Sequence, residues 1–336
     1  MKNKRRSLGV FQFLGQKLGT NVNKTIPEWT IMNLILRRIL MEKYVISAEL
    51  DLPNNRSGIV VNPAQIDNFR ADLTQNLREI GKDPLWVESQ ILQQGMESAI
   101  GKTALSVVSL DNRYVRNAAD YLGISRAVYN EKQEGIDYYA NRTGFENISE
   151  QFDRIARQFR KIVLADDVIF SGENMRYVIQ ELARRGVDVQ GIIAGITIDA
   201  GAQKLAETGI PIESIATFDT VDDEICERDF AFVPDSGRIG SDYRCNDSYG
   251  VLYFDDLFGA PTKYASIPRD AKADFCQRSL VRNIQLLRAD AQYNRQVYGR
   301  RFAGYNGYGN QTAIDALKER IEFSKRTEAL RSKKES

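Results

Sequence analysis

The chain has 336 residues, 43% of them hydrophobic and 27% charged, enough apolar material for a core spread over about two domains. No stretch nears the ~20 apolar residues of a spanning helix. Histidine is absent, which excludes Ser-His and Cys-His nucleophile pairs and imidazole metal ligands. Any catalysis must then use carboxylates, Lys, Arg, backbone amides or a metal held by oxygen, for which Mg²⁺ is the natural candidate.

The start, MKNKRRSLGVFQFLG, is basic and then briefly apolar, broken by Gln12 and Gly15, with no small-residue cleavage site after it. Cys226, Cys245 and Cys276 lack metal-ligand spacing and read as free thiols. The expectation is a cytoplasmic protein. Charge is uneven: residues 1–43 hold nine basic and two acidic side chains, residues 269–336 hold fifteen and eight, and the stretch between carries the acidic excess. Basic ends on an acidic body fit a polyanion such as nucleic acid. Solvated helix faces and tails are the commoner origin of such runs.

From Pro27 a helical pattern runs through Trp29, Met32, Leu36, Ile39 and Leu40. Residues 63–100 read as one or two more helices broken at Pro84, with a hairpin around Leu52–Val61. Residues 1–100 are thus expected to be a mostly helical region. Ala104–Leu110 is a short β-branched strand, followed by Asp111-Asn112-Arg113 and a helix through Leu122 closed by Gly123. Residues 129–147 are polar, with two glycines, and read as a long loop. A helix over Ser149–Phe159, a strand over Lys161–Ala165, a helix over Asn174–Arg185 ending at Gly186 and a strand over Val189–Ile198 follow. A further β-α-β passage reaches Phe218, and Gly250–Phe254 is a later strand. Strands alternating with helices predict an α/β fold, a mostly parallel sheet flanked by helices, over 101–268. Residues 269–336 form a basic helical extension, interrupted by FAGYNGYGN at 302–310. The added helices at both ends are natural homodimer elements.

The chemistry concentrates in KIVLADDVIFSGENMRYVIQELARRG, residues 161–186. An apolar strand ends in Asp166 and Asp167, followed by two apolar residues, the turn Phe170-Ser171-Gly172, then Glu173 and an amphipathic helix from Asn174 and Met175 onward. Open α/β sheets bind ligands at the carboxyl ends of their strands. The turn presents helix N-terminal amides to an anion, with Asn174 as a cap, while the adjacent carboxylates can accept from sugar hydroxyls. Together these describe a cradle for a ribose 5-phosphate.

This segment resembles the type I phosphoribosyltransferase superfamily, as a divergent member. The resemblance implies that Asp166 and Asp167 hold the ribose hydroxyls, directly or through Mg²⁺, and that residues 170–175 hold the 5-phosphate of 5-phosphoribosyl-1-pyrophosphate (PRPP). It further places Asp111, Asn112 and Arg113 in a pyrophosphate loop, Lys132 and Arg142 in a closing loop, and Phe232, Asp235 and Arg238 in an acceptor pocket within 226–243. Arg228 is also able to meet a carboxylate or phosphate there. Glu173 and Phe170 depart from the family pattern: one adds negative charge to the phosphate loop, the other replaces a carboxylate found in some members. The implied activity is Mg²⁺-dependent transfer of the 5-phosphoribosyl group to a nitrogenous acceptor with release of pyrophosphate, a pentosyltransferase reaction. The alternative is a non-catalytic PRPP or nucleotide sensor with a nucleic-acid or protein partner. A receiver domain orders its acids differently, and no Walker GxxxxGK[ST] is present.

Overall fold

Strand β7, Lys161–Ile169, is the axis of the fold. In the computed structural model the described residues are 43–52, 62–126, 139–142, 145–231, 238–242, 247–251, 254, 261–288 and 313–335. Glu42–Ser336 form one compact unit, and the other unit, Met1–Met41, lies outside the described residues. The expected helix from Pro27, Lys132, Phe232, Asp235 and the 302–310 stretch also lie outside them.

The larger sheet runs β4 (Asp120–Tyr121), β3 (Ser106–Ser109), β7, β8 (Asp188–Ile198), β9 (Ile212–Phe218), every pair parallel. Such strands are buried on both faces and read as near-continuous apolar runs. The twofold alternation of β7 shows why: Ile162 and Leu164 face one core, Val163 and Ala165 the other. The first core is closed by Phe152 and Ile155 of α3 (Ile148–Gln158), by Met175, Val178 and Leu182 of α4 (Glu173–Arg184), and by Leu205 of α5 (Asp199–Ala206). The second is closed by Leu92, Met96 and Ala99 of α2 (Ser89–Lys102). The helical spacing of these residues makes one apolar stripe per helix.

A second parallel sheet has the order β10 (Asp223–Cys226), β1 (Lys43–Ser47), β2 (Asp83–Val87). Its core joins Tyr44, Ile46 and Ile225 to Phe69, Leu73 and Leu77 of α1 (Pro63–Glu79), to Phe275, Leu280 and Leu287 of α7 (Lys272–Arg288), and to Leu317 of α8 (Ala313–Glu335). An antiparallel ladder joins β5 (Ile124–Arg126) to β6 (Tyr139–Asn141), and another joins β11 (Arg238–Asp242) to β12 (Asp247–Val251). The short α6 spans Pro261–Tyr264. No described helix is long and apolar enough to cross a membrane.

Three local expectations change. Residues 43–47 and 83–87 are strands, and Pro84 sits in edge strand β2, where its missing N–H costs little. The helix expected before Gly123 is replaced by an irregular turn. There the fully buried Asp111 carboxylate accepts the N–H groups of Arg113, Tyr114 and Val115 at 3.0, 2.7 and 3.2 Å, diverting them from a helix ladder. Finally, β7 continues to Ile169, so the acidic pair lies within the strand rather than beyond its end.

Candidate functional site

The elbow between β7 and α4 is built on two close backbone approaches. Gly172, the N-cap of α4, has φ +72°, and its carbonyl accepts from Arg176 N–H at 2.9 Å. A Cβ on Gly172 would stand 2.9 Å from the Gly201 carbonyl oxygen, and one on Gly201 would stand 2.4 Å from that of Phe170. Only glycine meets both demands, positive φ and contact with α5. The cap is thus Gly172, and Asn174 takes the second helical position instead of the capping role expected for it. Its buried side-chain oxygen has no partner among the described residues. Glu173 is ion-paired with Lys204 at 2.9 Å and is not on the cavity wall.

A cavity of about 340 Å³ opens beside this elbow. One wall holds Asp166, Asp167, Phe170, Ser171, Gly172, Asn174 and Met175, so the acidic pair and the Ser-Gly turn face a single space. Arg142 joins them from the end of β6. The far wall comes from the second sheet and α6: Asp222, Asp223, Glu224 and Cys226 at β10, then Lys263, Tyr264 and Ser266. Asp222 pairs with Lys82 at 2.5 Å, and Glu224 accepts from the Ser47 hydroxyl at 3.1 Å.

Both acids are largely buried, Asp166 at 5% and Asp167 at 8% exposure. Burial first, then the neighbouring Asp167 charge, push Asp166 well above the usual carboxylate range, against the pull of Arg142. Asp167 accepts from Arg228 at 3.3 Å and from the Cys226 thiol at 3.5 Å, yet still lines the cavity. The same guanidinium meets Glu49 at 3.0 Å, so two of the protein's own carboxylates engage Arg228. Burial pushes Glu49 up to about 7 in spite of Arg228. The Glu227 carboxylate fixes Glu49 by accepting its N–H at 2.8 Å and that of Leu50 at 2.9 Å, and is itself clamped by Arg70 at 2.7 Å.

The remaining expected residues fall elsewhere. Asp111, Asn112 and Arg113 do not line the cavity; Asp111 serves its own turn, and the charge of Arg113 acts on Glu49. Arg238 opens β11. The 222–224 acids, Lys263, Tyr264 and Ser266 were not legible as site residues, because they reach the cavity only through the pairing of β10 with β1 and the placement of α6. Glu49 was not legible either, and it meets the site through Arg228 without lining the cavity. Among the described residues no group of three or more His, Cys, Asp or Glu is arranged to hold a metal.

No family model matches the chain. A 78-residue stretch, 23% of this chain, is 31% identical to a hypoxanthine/guanine phosphoribosyltransferase from Methanohalophilus mahii and spans 38% of that relative's length. Among solved structures, adenine phosphoribosyltransferase from Rhodothermus marinus matches at 12% identity and TM-score 0.27, covering 38% of this chain and 78% of that one. Orotate phosphoribosyltransferase from Aeropyrum pernix matches at 14% identity and TM-score 0.25, covering 39% and 69%. Over the 78-residue stretch the chain is similar to a phosphoribosyltransferase, and its order of strand, acidic pair, Ser-Gly turn and helix is the one that the sequence resemblance rests on.

Proposed function

We propose that the cavity binds PRPP and that the protein transfers the 5-phosphoribosyl group to a nitrogenous acceptor. In that step the bond from the anomeric carbon to pyrophosphate oxygen breaks, a carbon–nitrogen bond forms, pyrophosphate leaves and the acceptor nitrogen gives up a proton. The observation that carries the reading is that Asp166, Asp167, Ser171, Gly172, Asn174 and Met175 line one wall of one cavity. Acceptors for vicinal hydroxyls then stand beside the amides and dipole of a helix start, which suit a phosphate.

Asp166 and Asp167 accept from the ribose hydroxyls, and the amides at the start of α4 hold the 5-phosphate. Lys204 draws the Glu173 charge aside, which leaves the loop receptive to an anion. Arg142, acting on Asp166 from the same cavity, offers a cation for substrate oxygens. The acceptor faces Asp222–Glu224, Lys263 and Tyr264.

Mg²⁺ suits the donor set of Asp166 and Asp167: two adjacent oxygen ligands whose mutual repulsion a divalent cation relieves, with most of its shell left to substrate oxygens and water. When bound it would neutralise charge developing on pyrophosphate.

Calorimetry with PRPP and Mg²⁺ tests the reading. Wild type should bind, and Asp166→Asn/Asp167→Asn should bind at least about a hundredfold more weakly, as loss of two charge-assisted acceptors requires. Unchanged affinity in the double variant ends the assignment. Pyrophosphate release with one member of a panel of nitrogenous bases would establish turnover; tight binding without release from any base would return the sensor reading.

A further inference from the structure

A second cavity, of about 410 Å³, lies where α1, α7 and α8 converge and shares no lining residue with the first. Its volume falls in the range of small-molecule sites. Asn76 of α1 lines it at 2% exposure, and neither its side-chain oxygen nor its side-chain nitrogen has a hydrogen-bond partner among the described residues. A buried primary amide with both ends unsatisfied is costly, and folds retain such groups where something else completes them.

Arg282 of α7, also 2% exposed, lines the same space. Its guanidinium reaches the Asp72 carboxylate, the Asp72 carbonyl and the Ser279 hydroxyl, each at 3.4 Å. Charge-assisted bonds ordinarily close to about 2.7–2.9 Å, so this buried donor is under-coordinated. Burial accordingly draws its pKa down to about 10. The rim cations are already neutralised: Arg278 pairs with Glu79 and Asp274, and Lys325 with Glu322. That balance disfavours a polyanion. Val281, 43% exposed, and Ile321 supply apolar surface for a flat ring.

We infer that this three-helix pocket binds an uncharged planar heterocycle presenting a ring N–H beside a carbonyl, the edge of an oxo-nucleobase. The amide oxygen of Asn76 accepts the N–H and its NH₂ donates to the carbonyl, the complementary pairing that carboxamides make with base edges. Arg282 donates to a further carbonyl. The site stands independently of the PRPP reading.

The test is calorimetry with uracil and hypoxanthine, and with 1,3-dimethyluracil, which has the ring and carbonyls but no N–H. Wild type should bind uracil or hypoxanthine saturably and not bind the dimethyl compound. Asn76→Leu should weaken binding about tenfold or more while melting no lower than wild type, since it removes two orphaned polar atoms. Val281→Trp, which fills the mouth from an exposed position, should abolish binding and serves if Asn76→Leu misfolds. Neither Asn76 nor Val281 lines the cleft, so weakened binding in these two variants separates this site from it. Absence of saturable binding by either base overturns the proposal, as does an affinity unchanged in both pocket variants.

Discussion

Glu49 and Asp167 share the guanidinium of Arg228, and the sharing is unequal. Glu49 is 1% exposed and its carboxyl is raised to about 7 from 4.5, because burial outweighs the attraction of Arg228. A carboxyl raised in the folded state takes up a proton that the unfolded chain does not hold between those values. Its contribution to stability is therefore full below about pH 4.5 and is lost as pH rises through about 7. Glu49→Gln keeps the shape and removes the titration. Wild type should thus lose stability relative to Glu49→Gln between pH 5 and pH 8, by an amount on the order of a few kcal/mol. Urea melts of both proteins at the two pH values measure this; a difference independent of pH would show that Glu49 stays ionised.

At the scale of elements, the site depends on how sharply β7 gives way to α4. The turn has Gly172 at φ +72° with the Gly201 carbonyl where a side chain would go. Gly172→Ala imposes a left-handed conformation costing about 1–2 kcal/mol on an L-residue, and pushes α5 away from the elbow. The expected result is a melting temperature lowered by several degrees and a PRPP affinity reduced by more than the same substitution at Gly186. Gly186 also has positive φ (+75°), but nothing lies within 4 Å of an added Cβ. Equal effects at the two positions on binding would remove the elbow from the site. Apolar spacing gave α3, α4, β7 and β8 away in the sequence, because each is specified by contacts repeated along one short segment. The turn after β3 escaped it: residues 113–115 give their N–H groups to a buried Asp111, a choice made by the surrounding packing.

For the whole molecule, the decisive connection is the return of β10 to β1 after the larger sheet is complete, pairing Tyr44–Ser47 with Asp223–Cys226. It brings Glu49 to Arg228 and Asp167, and gives the cavity its far wall. The segment before residue 103 also supplies α2, which covers one face of the larger sheet. A fragment of residues 103–336 would leave Val107, Val163 and Ile193 bare on that face and Ile225 without its partner strand. It should show no cooperative thermal transition by calorimetry; a sharp transition near that of the full chain would mean that the two sheets fold independently.

The sequence alone determined the order of strand, acids, turn and helix over 161–186 and the α/β rhythm around it, since hydrophobic period, helix start and glycine turn are properties of neighbours along the chain. It also removed imidazole chemistry outright. Which charges surround those acids, and what faces them across the cavity, was decided only by tertiary structure. Parallel pairing joins segments about 180 residues apart, and a strand carries no local mark of the partner it will meet.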